Sequence, residues 1–412
     1  MRDRAFSAIV LFGLVALVVA VAIDVFSTTD ARTEEGAAGA GVSDRRPAEA
    51  ATPRAGIAQN DLEREVEMSA GETLRVDLRP GGSIHIRGGE EERALVRFSL
   101  RGTDPDAFRF EVERMRTGVE VTSERLRRVN NVNVRVDIRV PRRCDLELRT
   151  AGGGITIRDI EGSIGGRTAG GELTLEDLSG TIELSTGGGE ITLTDSRLDG
   201  TVRTGGGKVL VENVEGDIDA SSGGGEVVYR NVVTPDHTYP ADAVFIRNAG
   251  GSIRVDDAPA GADVRTGGGN IRIRSAASYA KARTGGGDIR IDAIDGWAEA
   301  STGAGSIEVT MIGETGDGRR DVTLESGLGD IYLTLPAEIS ARFEIELAYT
   351  RNSSQRFEID SDFDLLEERT DTWDSSQGDP RKYIRGTATV GGGRNLIRVR
   401  TTNGDVHLRK RQ

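Results

Sequence analysis

A glycine block recurs through the middle of the chain as TGGGEI at 186–191, TGGGKV at 204–209, SGGGEV at 222–227, TGGGNI at 266–271, TGGGDI at 284–289 and TGAGSI at 302–307. Counted at the last glycine of every such block, the positions are 154, 171, 189, 207, 225, 251, 269, 287, 305 and 329, so the successive steps are 17, 18, 18, 18, 26, 18, 18, 18 and 24. A fixed period is the mark of a repeat architecture in which each unit buries its apolar side only against its neighbours. After each block comes a triplet whose outer residues are apolar: Ile155 and Ile157, Leu173 and Leu175, Ile191 and Leu193, Val209 and Val211, Ile271 and Ile273, Ile289 and Ile291, Ile307 and Val309, Ile331 and Leu333. Alternation of this kind points both side chains to one face of a strand. A second short strand precedes the block, with inward positions such as Ile182 and Leu184, Ala262 and Val264, Ala280 and Ala282, Ala298 and Ala300.

Two strands and two corners in about 18 residues make one coil of a narrow, single-stranded parallel β-solenoid, and the expected fold class is all-β. Glycine at a corner is explained by φ > 0 or by close approach of stacked backbones. On the first explanation, Gly206→Val or Gly268→Val should destabilise by roughly 1–3 kcal/mol. The small polar residue before each block, Thr168, Thr186, Thr204, Ser222, Asn248, Thr266, Thr284, Thr302 or Ser326, is placed to form a hydrogen-bonded ladder up that corner.

Composition agrees with a thin solenoid. Aromatic residues make up 4% of the 412 residues while glycine contributes 55, which is lean for a large layered core. The net charge of −14 makes nucleic acid an unexpected partner, and any anion site must be local. The single cysteine, Cys144, excludes an internal disulfide and a multi-cysteine zinc site.

Residues 1–27 read as a signal anchor or signal peptide, because Arg2 and Arg4 precede the apolar run from Ala5 to Ile23. The run is about long enough to cross a bilayer as a helix of ~20 residues, which favours a retained anchor in the inner membrane with an exported C-terminal domain. Cleavage after Ala22 is the alternative and would release the protein to the periplasm or cell surface. Residues 28–62 lack an apolar period and read as a disordered linker.

Residues 63–144 carry short alternating strands, TLRVDL (73–78), SIHIRG (83–88), ALVRFSL (94–100), FRFEVE (108–113), GVEVTS (118–123) and VNVRVDIRV (132–140), expected as a β-rich N-terminal cap and first coils. Residues 145–336 hold the repeats, interrupted by insertions at 232–242 and 313–321. Residues 337–412 add C-terminal coils and an acidic loop, 351–385, before NLIRVRTTNGDVHL (395–408) restores the pattern as a coil expected to cap the stack.

Catalytic and metal signals are weak. TGGGKV lacks the Lys-Ser/Thr pair of a phosphate loop, and Ile155 and Lys208 stand where a calcium-binding β-roll needs oxygen ligands. In DSDFDLLEERTD, Asp360, Asp362 and Asp364 have EF-hand spacing, but Leu365 replaces the required glycine, so a solvated acidic loop is expected. His85, His237 and His407 have no metal or nucleophile motif around them. No cofactor or metal is implied.

One pattern exceeds background. Arg254, Arg272 and Arg290 occupy the same outward position of successive coils, as do Arg247, Arg265 and Arg283. Stacking turns them into two arginine ladders able to meet a repeating anion, unless Asp256, Asp263, Asp288 and Asp292 neutralise them as ordinary solvated faces.

With its T-G-G-G coils, the entry stretch VDIRVPRRCDLELRTAGGGITI and the closing RVRTTNGDVHL, the chain resembles, over about residues 66–408, the bacterial "putative adhesin" family of β-solenoid domains of unknown function. The resemblance implies adhesion; together with the N-terminal apolar run and the arginine ladders, the expectation is a non-enzymatic binding surface at the cell envelope, with an anionic envelope glycan or another envelope protein as partner and the membrane reached through the N-terminal helix. Two other readings remain open: a polymerising scaffold of the bactofilin kind, and a polysaccharide-acting β-helix enzyme.

Overall fold

The computed structural model describes residues 60–411 apart from 80, 103–104, 130–131, 234–242, 314–317, 354 and 377. The apolar run 5–23 and nearly all of the expected linker therefore lie outside the described residues, as do His237, most of the insertion at 232–242 and part of that at 313–321. The strand Asn60–Glu67 begins inside the stretch read as linker. Among the described residues, everything regular is β-strand except one short 3₁₀ turn, Pro105–Ala107.

The repeats form parallel coils. Leu173 pairs with Ile155 on one side and with Ile191 on the other, and Ile191 pairs with Val209, so the register follows the spacing of the glycine blocks. The apparent first step of 17 disappears once Gly153, not Gly154, is taken as the equivalent of Gly171, which stacks directly on it. Every apolar triplet position expected to point inward does so, from Ile155 and Ile157 to Ile331 and Leu333, each at most 1% exposed.

The last glycine of each block serves close contact, and among those counted above only Gly329 also has positive φ, at 142°. A Cβ on Gly189 would sit 2.1 Å from the Gly171 carbonyl oxygen, and one on Gly207 would sit 2.0 Å from that of Gly189. The middle glycine is different: around Gly188 and Gly206 nothing lies within 4 Å, and around Gly268 only one oxygen at 3.9 Å. None of these three has positive φ. The expectation that Gly206→Val or Gly268→Val destabilises is thus overturned, because those positions face open space.

Left-handed backbone occurs at another corner. Asp159, Asp177, Asp195, Asn213 and Asn231 have φ of 59, 55, 50, 55 and 48° and recur once in every coil of this stretch. Asp and Asn tolerate this region because their short polar side chains bond locally. Here they bond up the stack, with Asn231 donating to Asn213 and Asn213 to Asp195, each at 2.9 Å. A second turn in the same coils uses glycine with φ > 0, Gly180 (119°) and Gly216 (136°) among them.

The polar ladder is realised, with glycine as intermediary. The Thr186 hydroxyl donates to the Gly171 carbonyl of the preceding coil at 2.7 Å and accepts the Gly189 N–H of its own coil at 3.2 Å. Thr168, Thr204 and Thr284 make the same pair of bonds with their own glycines. These threonines are buried, so each hydroxyl satisfies backbone that water cannot reach.

The two ends depart from sequence order. The strands Thr73–Leu78 and Ser83–Gly89 make one coil, yet Gly118–Arg125 and Asn133–Pro141 stack outside them while Asp145–Thr150 and Ile155–Thr168 stack inside. Arg93–Arg101 and Phe108–Met115 then pair antiparallel with the outermost coil, and Asn60–Glu67 pairs antiparallel with Arg93–Arg101.

The C-terminal end repeats the device. The last strands, Asn395–Thr402 and Val406–Arg411, lie between Val322–Ser326 and Ile331–Pro336 on one side and Ala341–Thr350 and Ile359–Ser361 on the other. The closing coil therefore does not cap the stack. That role falls to Arg381–Val390 and Leu366–Arg369, antiparallel strands from the segment expected to be a solvated acidic loop. The reason is edge protection: an outer coil with unpaired N–H and C=O groups is covered by antiparallel strands, and Leu366–Arg369 (LEER) presents a short, mostly charged edge.

Candidate binding surface

Outward positions in successive coils line up as columns spaced by the strand separation of ~4.8 Å. Arg254 faces Arg272 and Arg272 faces Arg290, as the sequence period requires. Arg247, Arg265 and Arg283 form a second column. The two columns belong to different sheets, so the six arginines build two faces, not one.

Carboxylates answer most of this charge. Arg254 pairs with Glu226 at 3.5 Å, Arg272 with Asp292 at 2.8 Å, and Arg290 with both Asp292 and Glu308 at 2.5 Å. On the other sheet Arg265 pairs with Asp263 at 3.2 Å, and Glu299 takes both Arg283 and Lys281. Among the described residues Arg247 has no ion-pair partner. Burial works to raise the Asp292 pKa, but hydrogen bonds from Arg290 and Arg272 outweigh it and hold the carboxyl below its ordinary range. Burial likewise opposes the lowering of Glu299, which hydrogen bonds and charge from Arg283 and Lys281 bring about. Asp256 and Asp288, expected as neutralisers, act elsewhere: Asp256 pairs with Arg230, and Asp288 accepts the Ser306 N–H at 2.8 Å.

The Arg254 column continues past Glu308 to Tyr332 and then His407, whose rings stack with centroids 4.6 Å apart. Tyr332 is 42% exposed, which is unusual among the described aromatic residues. Beyond His407 lies Asp360. Arg409 bonds to its carboxylate, with one contact at 2.9 Å, and His407 lies 3.5 Å away, so the Asp360 pKa falls to about 2, mainly through the Arg409 hydrogen bonds. Asp362 accepts the Lys410 N–H at 2.9 Å. Among the described residues no group of three or more His, Cys, Asp or Glu side chains is arranged to hold a metal ion. Cys144 is buried, and desolvation aided by Asp145 pushes its thiol up to about 12, which leaves it an inert thiol at neutral pH.

A third arginine row was not legible beforehand. At the N-terminal end Arg139 faces Arg87, and Arg87 faces Arg158, on the strands Asn133–Pro141, Ser83–Gly89 and Ile155–Thr168. Their sequence separations follow no period, because the coils that carry them stack out of order. The row borders a groove of about 710 Å³, which Arg97, Arg135 and His85 also line. His85 is half-buried, and burial reinforced by Arg135 and Arg158 lowers its pKa despite the opposing charge of Asp137.

A parallel β-solenoid with charged outward columns is the class of protein that fold and surface define. The chain belongs to the Toastrack DUF4097 family, whose model matches residues 60–409. No curated protein matches it. Solved structures to which it is similar include a "putative cell adhesion protein" from Clostridium sporogenes, at 12% identity over 86% of this chain and 100% of that one with a TM-score of 0.18. Another is a "putative adhesin" from Parabacteroides merdae, at 9% identity over 61% of this chain and 96% of that one with a TM-score of 0.30. A third, from Parabacteroides distasonis, is titled a "putative lipid binding protein" and shows 9% identity over 85% of this chain and 96% of that one, TM-score 0.23. At TM-scores this low neither fold nor activity passes from those proteins to this chain.

Proposed function

We propose that the protein is a non-enzymatic binding module of the cell envelope, exported and held to the inner membrane by its N-terminal apolar run, with outward columns that engage an anionic envelope glycan. The observation that carries this reading is the register of the columns: cationic side chains repeat at strand spacing along a rigid axis, and one column leads into the exposed Tyr332 ring. Regular charge meets a regular polymer with many weak contacts at once, and an open aromatic face suits a sugar ring. Membership of the Toastrack family is compatible with this role. Antiparallel strands over both outer coils weigh against end-to-end polymerisation, since they occupy the edges on which another copy would stack.

The test is retention of the full-length chain on an acidic glycan column at two salt concentrations, with a neutral glycan as control. Retention that falls with salt and is absent on the neutral glycan is expected. Equal retention on both, or none on either, contradicts the reading.

A further inference from the structure

Of the three arginine rows, the one assembled from non-consecutive coils differs from the others in its charge balance. The groove beside it is lined by five arginines and His85 against a single acidic side chain, Asp137, on a chain whose net charge is −14. The other acids that reach these arginines are not among its lining residues: Asp159 pairs with Arg87 at 3.0 Å, Glu63 with Arg97 at 3.0 Å and Glu176 with Arg158 at 2.9 Å. Arg135 is held by Asp137 at 2.7 Å. Arg139 is exposed and, among the described residues, has no ion-pair partner. In the central column, by contrast, Arg290 alone has two carboxylates.

Like charges directly opposite one another on neighbouring strands are destabilising. Arg139, Arg87 and Arg158 are such a triplet, with acids for only two of the three, and the unmet charge sits beside a concave space. Hydroxyls of Thr156 and Thr174 line the same groove as neutral donors and acceptors. Among the described residues, none of the exposed large apolar side chains, Met115, Leu126, Leu328, Tyr332 and Leu366, lines it. A membrane would therefore find charge here and nothing to insert, whereas a hydrated chain of carboxylates would find forked donors at strand spacing.

We infer that the groove along Arg139, Arg87 and Arg158 is the principal anion-binding site of the protein, and that it takes a carboxylate-bearing glycan laid across the strands. This rests on the binding-module reading and moves its centre from the periodic arginines to the N-terminal end. His85 is the natural reporter. It faces Arg135 and Asp137 on one neighbouring strand and Thr156 and Arg158 on the other, with Arg97 one strand further out. A bound carboxylate adds negative charge to this surround, which favours the imidazolium form and raises the His85 titration midpoint.

The experiment compares full-length wild type, Arg139→Glu/Arg158→Glu and Arg272→Glu/Arg290→Glu, titrated with polygalacturonate at low salt, with phosphatidylglycerol vesicles as a separate arm. The N-terminal double variant is expected to bind at least ~10-fold more weakly, the loss of a single charged hydrogen bond being sufficient for that, and the central double variant, whose arginines are already met by carboxylates, to lose clearly less. In wild type the imidazole resonance of His85 should move on addition of polygalacturonate and its midpoint rise, a readout that does not depend on any variant folding. Unchanged binding by the N-terminal variant, with loss only in the central one, overturns this assignment and leaves the binding-module reading standing. An unmoved His85 despite binding also overturns it, as does preference for the vesicles. No binding of polygalacturonate by wild type overturns both.

Discussion

The middle of the solenoid and its ends are made of the same coil and obey different rules of assembly. Between residues 145 and 336 each coil stacks on the one before it in sequence, so a fixed repeat length converts directly into a spatial neighbour. At both ends the chain makes an outer coil and places another inside it: 73–89 lies between 118–141 and 145–168, and 395–411 lies between 322–336 and 341–361. Sequence distance reports spatial distance in the first region and misreports it in the second. The ends gain from this, because the strands of the inserted coils, 73–89 and 395–411, are paired on both sides, and their charges meet in combinations no period announces.

The largest expected effect follows from deletions. Removing residues 187–204, one whole middle coil, joins Thr186 to Gly205 in register and brings Leu175 opposite Val211, so a cooperative melt should survive with a moderately lower Tm. Removing 395–412 strips both faces between which the last coil is held and should abolish the cooperative transition seen by circular dichroism. Similar melts for the two deletions would erase the distinction between middle and end.

Within one middle corner, the neighbouring glycines separate contact from conformation. Gly207→Ala drives a Cβ to 2.0 Å from the Gly189 oxygen and should cost about 3 kcal/mol in denaturant unfolding. Gly206→Ala, with nothing within 4 Å, should change stability by no more than about 0.5 kcal/mol. Equal effects would mean that the stacked backbones do not approach as closely as described. At the left-handed corner, Asp195→Val should cost about 1–2 kcal/mol and Asp195→Asn almost nothing, since Asn213 and Asn231 already hold that geometry.

The smallest effect is acid sensitivity of the far end. Asp360, ordinarily near 3.8, is lowered to about 2 in the folded protein, so its contribution is fully present above pH 3.8 and is lost as pH falls through 2. Asp360→Asn should remove that contribution, so stability falls slightly above pH 3.8, is unchanged below about pH 2, and the acid limb between them flattens.

Much of this was legible because alternation and period are local signals. Ile155, Leu173, Ile191 and Val209 are apolar at one phase of the repeat and are buried at that phase, and the six entry strands appear within a residue or two of where alternation puts them. Three things were hidden. Glycine reads the same whether it serves φ > 0 or close approach, so the role of Gly206 was misread and the left-handed corner at Asp195 was missed. The acidic stretch 351–385 looked like a loop because the short edge Leu366–Arg369 is charged as an edge strand needs to be. The row Arg139, Arg87, Arg158 was invisible because only the inserted coil makes those residues neighbours, whereas Arg254, Arg272 and Arg290 could be aligned by counting.

Amide hydrogen exchange along the whole chain tests the insertion of the end coils most directly. Chain termini ordinarily fray and exchange first. Because Val406–Arg411 is paired with Ile331–Pro336 on one side and Ile359–Ser361 on the other, its amides around Val406 and Leu408 should be protected as strongly as those of Ile191–Thr204 in the middle. The outlying Leu366–Arg369 should exchange much sooner. If Val406–Arg411 exchanges as fast as Leu366–Arg369, the last coil is an outer flap, and the out-of-order stacking described here is wrong.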